Sequence, residues 1–152
     1  MKLISHRGNI RGLNPNRENA PSYIDSAIGL NYEVEIDLRL IQNELWLGHD
    51  GPEYKVELTW LSKRKDFLWI HCKNPEAATF LSKQTDSFQY FCHTHDPFVL
   101  TSTGHLWIHD LNLELDRNTI IPLLDKSDID KYSGKRVYGI CTDFVEYCKK
   151  LC

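Results

Sequence analysis

Short apolar runs in this chain keep ending in residues that can do chemistry. The first, Leu3-Ile4-Ser5, gives way to His6-Arg7. Later ones end in Glu35-x-Asp37, His49-Asp50, His71-x-Lys73, His93-x-His95-Asp96, His109-Asp110 and Thr142-Asp143. Polar residues often do no more than mark where a strand meets a loop. These endings are rich enough in histidine and aspartate to favour one shared pocket instead. Parallel strands that curl into a barrel deliver all their carboxyl ends to a single face.

The order of elements suits such a barrel. Residues 20–28 have helical spacing, with Tyr23, Ile24, Ala27 and Ile28 on one side, Pro21 in the first turn and Gly29 or Asn31 as the stop. Residues 32–40, YEVEIDLRL, alternate strictly and predict a strand. The chain then turns at Gln42-Asn43 and returns as a hairpin arm over 41–47. The pattern continues with a short helix at 58–63, a strand at 67–72, a helix at 75–83 opened by Pro75 and a strand at 88–92. Extended runs at 98–101 and 106–109, strands at 119–124 and 137–141, and a helix from Phe144 complete it. This is the α/β class, with a parallel sheet in one domain over residues 1–152.

Composition narrows the partners. Lys+Arg 18 against Asp+Glu 21 leaves a net charge of -3, without the basic footprint of a nucleic-acid binder. Lys63-Arg64-Lys65 reads as a solvated helix face. No apolar run approaches the ~20 residues of a membrane span, and the opening MKLISHRGN turns polar too soon for a signal peptide. Five cysteines, an odd number with no Cys-x-x-Cys pair, point to reduced thiols and a cytoplasmic setting.

The strand ends carry the functional expectation. Glu35 and Asp37 lie two apart on a strand, so they share a face and can hold one hard cation. Val34, Ile36 and Leu38 alternate with them, which makes sense if the interior of the barrel is polar; Glu33 shares that interior nearer the floor. His6 and His49 have the intrinsic pKa to exchange protons near neutrality. Arg7 presents a planar fork that suits an anion, and Lys73 a second positive charge. His93, His95, Asp96, Trp107 and His109 line the later strand ends and are expected to shape substrate specificity, with His93 and Trp107 binding substrate. Phe91 and Trp107 offer a wall for a ring or sugar, or simply pack in the core.

HisArgGly at 6–8, GluAsn at 18–19, Glu35-x-Asp37, GlyHisAspGly at 48–51, IleHisCysLys at 70–73 and GlyIleCysThrAsp at 139–143 follow in order. In these motifs the chain resembles the glycerophosphodiester phosphodiesterases, within the phospholipase-C-like phosphodiesterases. The resemblance is dense over 1–74, thin over 75–136, and returns in the last strand. It implies a distorted TIM (β/α) barrel that hydrolyses a small phosphodiester with a divalent metal ion (Mg, Ca or Mn), a role in lipid metabolism. His6 and His49 would be the acid and base, and Glu35 and Asp37 metal ligands.

The chain departs from the family in two places. The family pattern has Glu-x-Lys at the end of the third strand, where this chain has His71-Cys72-Lys73. With His71 as the third ligand, the site should suit Mn²⁺, Zn²⁺ or Fe²⁺ better than Mg²⁺ or Ca²⁺. A full barrel also takes ~250 residues, against 152 here. The deficit falls in 88–136, so the expectation is a reduced barrel with missing or shortened outer helices, or an open one completed by a homodimer. Two functional readings follow: a metal-dependent phosphodiester hydrolase, or a catalytically inactive module that binds a phosphorylated sugar or lipid headgroup.

Overall fold

The computed structural model describes residues 1–152. In chain order the elements are β1 (Lys2–His6), α1 (Pro21–Gly29), β2 (Glu33–Ile41), β3 (Glu44–Leu47), β4 (Tyr54–Val56), α2 (Leu58–Ser62), β5 (Leu68–Cys72), α3 (Pro75–Ser82), β6 (Gln89–Phe91), β7 (Phe98–Leu100), β8 (Leu106–Ile108), β9 (Thr119–Pro122), α4 (Lys126–Tyr132), β10 (Gly139–Thr142) and α5 (Val145–Cys148). Parallel pairing runs β6–β5–β2–β1–β10–β9–β8. β7 returns antiparallel on β8, and β3 and β4 extend the sheet from the far half of β2.

One serine joins the two ends of this curled sheet. Past β7, the Ser102 backbone N–H donates to Tyr90 O at 2.8 Å. Its hydroxyl accepts from Tyr90 N–H and donates to Phe88 O, both at 2.9 Å. The free edge of β6 is thereby satisfied within the chain, and the result is a distorted TIM-type barrel. Segment 92–118 holds β7 and β8 but no helix, so the outer layer is missing there, as the short length led us to expect.

Elsewhere the two sides of each strand divide the work. Val34, Ile36 and Leu38 face outward with Leu68 and Ile70, under Ile24 and Ala27 of α1 and Ala77 and Leu81 of α3. Each of the valine, leucine and isoleucine side chains, fully buried, contributes about 1.5–3 kcal/mol. Pro21 pre-sets the first turn of α1, and the Asn74 side chain caps α3 by accepting from Ala77 N–H. The opposite wall is sealed by Ile121, Ile140 and Ile129. Inside, Glu33 sits at the floor as expected, accepting from Trp69 Nε1 at 2.7 Å and paired with Lys2.

Two expectations need correction. Helix α4 was not legible, because KSDIDKY buries only Ile129 and shows no apolar stripe. His49 does not follow a parallel strand: β3 runs antiparallel to β2. It reaches the same rim because β2 overshoots the barrel and the hairpin carries the chain back, through Gln42 and Asn43 at φ 49° and 65°. No helix is long and apolar enough to cross a membrane.

Candidate active site

The carboxyl ends of the strands open into a cavity of about 680 Å³, lined among others by His6, Arg7, Glu35, His49, His71 and Lys73. At the tip of β1 the backbone leaves the strand abruptly. Arg7 takes φ 54°, its N–H donating to Glu35 O at 2.9 Å, and Asn19, at φ 61°, donates its N–H to Arg7 O at 3.0 Å. Such left-handed conformations cost of order 1–3 kcal/mol and persist where the surroundings enforce them. Here they throw the Arg7 side chain back over β2. Its Nε lies 2.9 Å from Asp37 Oδ2 and its Nη1 donates to Glu18 Oε2 at 3.1 Å. Gly8 follows at φ 90°, where a Cβ would sit 2.9 Å from the Tyr23 ring.

His6 is held from behind. Asp143 Oδ1, just past β10, lies 2.7 Å from His6 Nδ1 and accepts from Asn9 Nδ2 at 2.8 Å. Asn9 Nδ2 also reaches Glu18 Oε1 at 2.8 Å, which ties the loop, the arginine and the histidine into one network. Placing the proton on Nδ1 leaves His6 Nε2 with its lone pair, 3.9 Å from Glu35 Oε2. Burial pulls the His6 pKa down, but the hydrogen bond to Asp143 and the charge of Glu35 outweigh it, and the net shift is upward.

Beside it stands a set of donors that could hold a cation. Ligand atoms of Glu35, Asp37 and His71 all lie within 4.8 Å of one another. Asp37 Oδ2 is taken up by Arg7 and by Asn19 Nδ2 at 2.9 Å. Its Oδ1 is buried without a hydrogen bond, as is Glu35 Oε2. His71 Nδ1 faces both carboxylates, 3.2 Å from Asp37 Oδ1 and 3.8 Å from Glu35 Oε1. Its other nitrogen, Nε2, lies 3.1 Å from His93 O. A proton on Nε2 donated to that carbonyl leaves the Nδ1 lone pair aimed at the carboxylates, the usual arrangement behind a metal-binding imidazole. Burial and the neighbouring Asp37 raise the Glu35 pKa, which His6, Arg7 and His71 only partly offset. For Asp37 burial acts in the same sense, but His71 when it carries a proton on Nδ1, together with Arg7, Asn19 and Lys73, prevails and holds it well below the usual carboxylate range. Two buried carboxylates, each with an orphaned oxygen, fit a divalent ion. The other cluster, His6, Glu18 and Asp143, has its atoms committed to each other, to Asn9 and to Arg7.

His49 sits on the rim, 40% exposed at the side chain, with Nδ1 2.7 Å from Asp50 Oδ1. Its loop is pinned by Arg39, whose guanidinium donates to the carbonyls of Gly48 and His49, the latter at 2.6 Å. Gly48 has φ 142°, and a Cβ there would meet Gly51 O at 2.2 Å, so this turn requires glycine.

Stacked rings build the far wall. Phe91 and Trp107 lie 4.4 Å apart between centroids, and above them His93 and His109 stack at 3.6 Å with planes 10° apart. Trp107 is 2% exposed, so it serves as floor rather than as an open platform. His93 and His95 line the cavity with His109, whereas Asp96 is exposed and outside its lining. Burial, with His93 and His71 nearby, lowers the His109 pKa to about 4; His93 is lowered too, mainly by burial.

Eight of the nine residues singled out in the sequence as acid, base, metal or substrate groups thus border one hollow, and the ninth, Asp37, is fully buried beside Glu35 and His71. Asp143 was legible as a polar strand ending and as part of a motif, and Glu18-Asn19 only as a motif, none of them with a task assigned. Arg39 gave no signal, since its partners depend on the return of the hairpin.

The backbone is similar to a crystal structure of glycerophosphodiester phosphodiesterase from Agrobacterium tumefaciens str. C58. The TM-score is 0.63 at 15% identity, over 99% of this chain and 98% of that one. The two share a fold. No family model matches the chain, and no curated protein sequence does.

Proposed function

We propose that this chain is a metal-dependent phosphodiester hydrolase acting on a small diester, a glycerophosphodiester or a sugar or lipid headgroup ester. The observation that carries the reading is the cluster of Glu35, Asp37 and His71, with one orphaned oxygen on each carboxylate, standing next to a carboxylate-held imidazole, with His6 Nε2 3.9 Å from Glu35. Glu35, Asp37 and His71 would hold the ion. A divalent cation held there would supply Lewis-acid neutralisation of phosphoryl charge.

The chain's own groups do the rest. Arg7, clamped by Asp37 and Glu18, and Lys73, 3.5 Å from Asp37 Oδ1, carry positive charge at the cavity edge where the phosphate would lie. His6 takes a proton at Nε2 from the attacking oxygen, water or a hydroxyl of the substrate, while Asp143 keeps Nδ1–H in place and stabilises the imidazolium. His49, on its pinned loop, gives a proton to the departing alkoxide. A buried His6 and a rim-placed His49 suit these separate tasks.

A second reading is favoured by one feature. His49 is paired with Asp50 and partly in solvent, as it would be in a module that binds a phosphorylated headgroup without cleaving it. Hydrolysis of bis(p-nitrophenyl) phosphate with Mn²⁺, Zn²⁺, Mg²⁺ and Ca²⁺, with and without chelator, separates the two. Turnover with Mn²⁺ or Zn²⁺ that chelator abolishes is expected. Phosphate binding with no turnover under any metal would leave the binding module.

A further inference from the structure

The His93–His109 stack is a feature that the hydrolytic machinery does not use. Both residues continue the inward alternation of their strands, two positions beyond Phe91 and Trp107. The four rings thus form two tiers, hydrophobic below and heteroaromatic above. Hydrophobic rings in the upper tier would have served closure of the barrel equally well. Imidazoles there bring polar atoms that the protein leaves unsatisfied.

One nitrogen of each ring is sealed in. His93 Nδ1 and His109 Nε2 are buried without a partner. An orphaned buried N–H is rarer and costlier than an under-used acceptor. The sealed nitrogens are therefore best left as bare lone pairs, with the protons on His93 Nε2 and His109 Nδ1. Both rings line the cavity, and these are the nitrogens that open toward it. The two rings stack 3.6 Å apart between centroids with planes 10° apart, so the two N–H donors belong to one rigid unit. The unit also stands at a defined place. The carbonyl of His93 orients His71, so the stack begins one residue away from the candidate cation site.

Resting on the phosphodiesterase reading, we propose that the His93–His109 stack seats the alcohol portion of the substrate and donates to its oxygens, so that the chain selects phosphodiesters of polyhydroxylated alcohols over those of plain alkyl alcohols. A site built to hydrogen-bond hydroxyl groups discriminates against an analogue that lacks them, because the donors are then stranded without water or partner. Phe91 and Trp107 below give the carbon skeleton an apolar base.

Two chromogenic esters with the same leaving group test this: p-nitrophenyl glyceryl phosphate and p-nitrophenyl propyl phosphate, with Mn²⁺. The wild-type chain should favour the glyceryl ester by about tenfold or more in kcat/KM. His109→Phe and His93→Phe, which keep a ring in the stack, should bring that ratio close to one. His109→Gln, which restores an N–H donor, should recover part of it. The ratio within each variant is the readout, so a general loss of activity does not mimic the effect. Equal rates on the two esters in the wild type, or a ratio that survives both Phe variants, would overturn the proposal. If neither ester is cleaved, the phosphodiesterase reading fails, and the stack is then judged by calorimetry. Tighter binding of glycerol 3-phosphate than of propyl phosphate, lost in His109→Phe, sustains it, and equal affinities overturn it.

Discussion

Asp143 holds His6 through a 2.7 Å contact between residues 137 positions apart in sequence. β1 and β10 are neighbours in the barrel, so the first and last strands jointly place one imidazole. Asp143→Asn should lower kcat by ~10²-fold or more, because the ring loses both its tautomer and its counter-charge. The acidic limb of the pH–rate profile should move to lower pH, since Asp143 is among the groups that raise the His6 pKa. An unshifted limb would mean that His6 is not the titrating base.

The same raised pKa has a consequence for stability. A histidine whose folded pKa lies above its unfolded value, about 6.5, stabilises the fold fully below that value. The contribution is lost as pH rises through the folded pKa. His6→Gln should therefore cost more stability at pH 5 than at pH 9 in urea unfolding. The opposite order would show that burial, not Asp143 and Glu35, dominates at His6.

Cation binding should be visible without turnover. Mn²⁺ or Zn²⁺ should raise the melting temperature, by mass action worth about 2.7 kcal/mol at a hundredfold excess over Kd. Glu35→Gln should abolish that rise. His71→Glu, which replaces the imidazole by a third carboxylate, should move the calorimetric preference from Mn²⁺ toward Mg²⁺ or Ca²⁺. An unchanged preference would remove His71 from the ligand set.

Arg39 acts on His49 at one remove. Arg39→Ala frees the carbonyls of Gly48 and His49, so the loop should gain fast motion in backbone order parameters. Turnover should fall ~10-fold with KM nearly constant, as expected for a misplaced acid. A rigid loop with lowered kcat would assign the effect to charge instead.

Ser102→Ala tests how the barrel shuts. It removes two hydroxyl hydrogen bonds to β6, each worth about 0.5–1.5 kcal/mol, and frees the Tyr90 amide. Amide exchange at Tyr90 should accelerate more than at Ile140 of β10, on the opposite wall.

What the sequence disclosed depended on how local each signal was. Strict alternation in 32–40 exposed both faces of β2, and so Glu35 and Asp37. Pro21 and Pro75 marked the starts of α1 and α3. Helix α4 escaped because one buried isoleucine makes no stripe. The direction of β7 and the bonds of Ser102 escaped because they are set by partners outside their own segment. His49 was placed on the correct rim for a wrong reason: a hairpin return, rather than a parallel strand end, brings it there. The tasks of Asp143 and Arg39 rest on contacts that only the closed barrel creates.

The wall without helices has an outcome of its own. Most barrels of this type are stiffened from outside, so lengthening a segment disturbs the packing that keeps the strands in place. Here the stretch from β6 to β8 is braced from within by two layers of rings. Beyond His93, whose carbonyl orients His71, and His109 of the stack, the bends at 94–97 and 110–118 hold no residue of the cation site. They form a replaceable mouthpiece: peptides grafted there can remodel what the cavity admits while β1, β2 and β5 keep their chemistry.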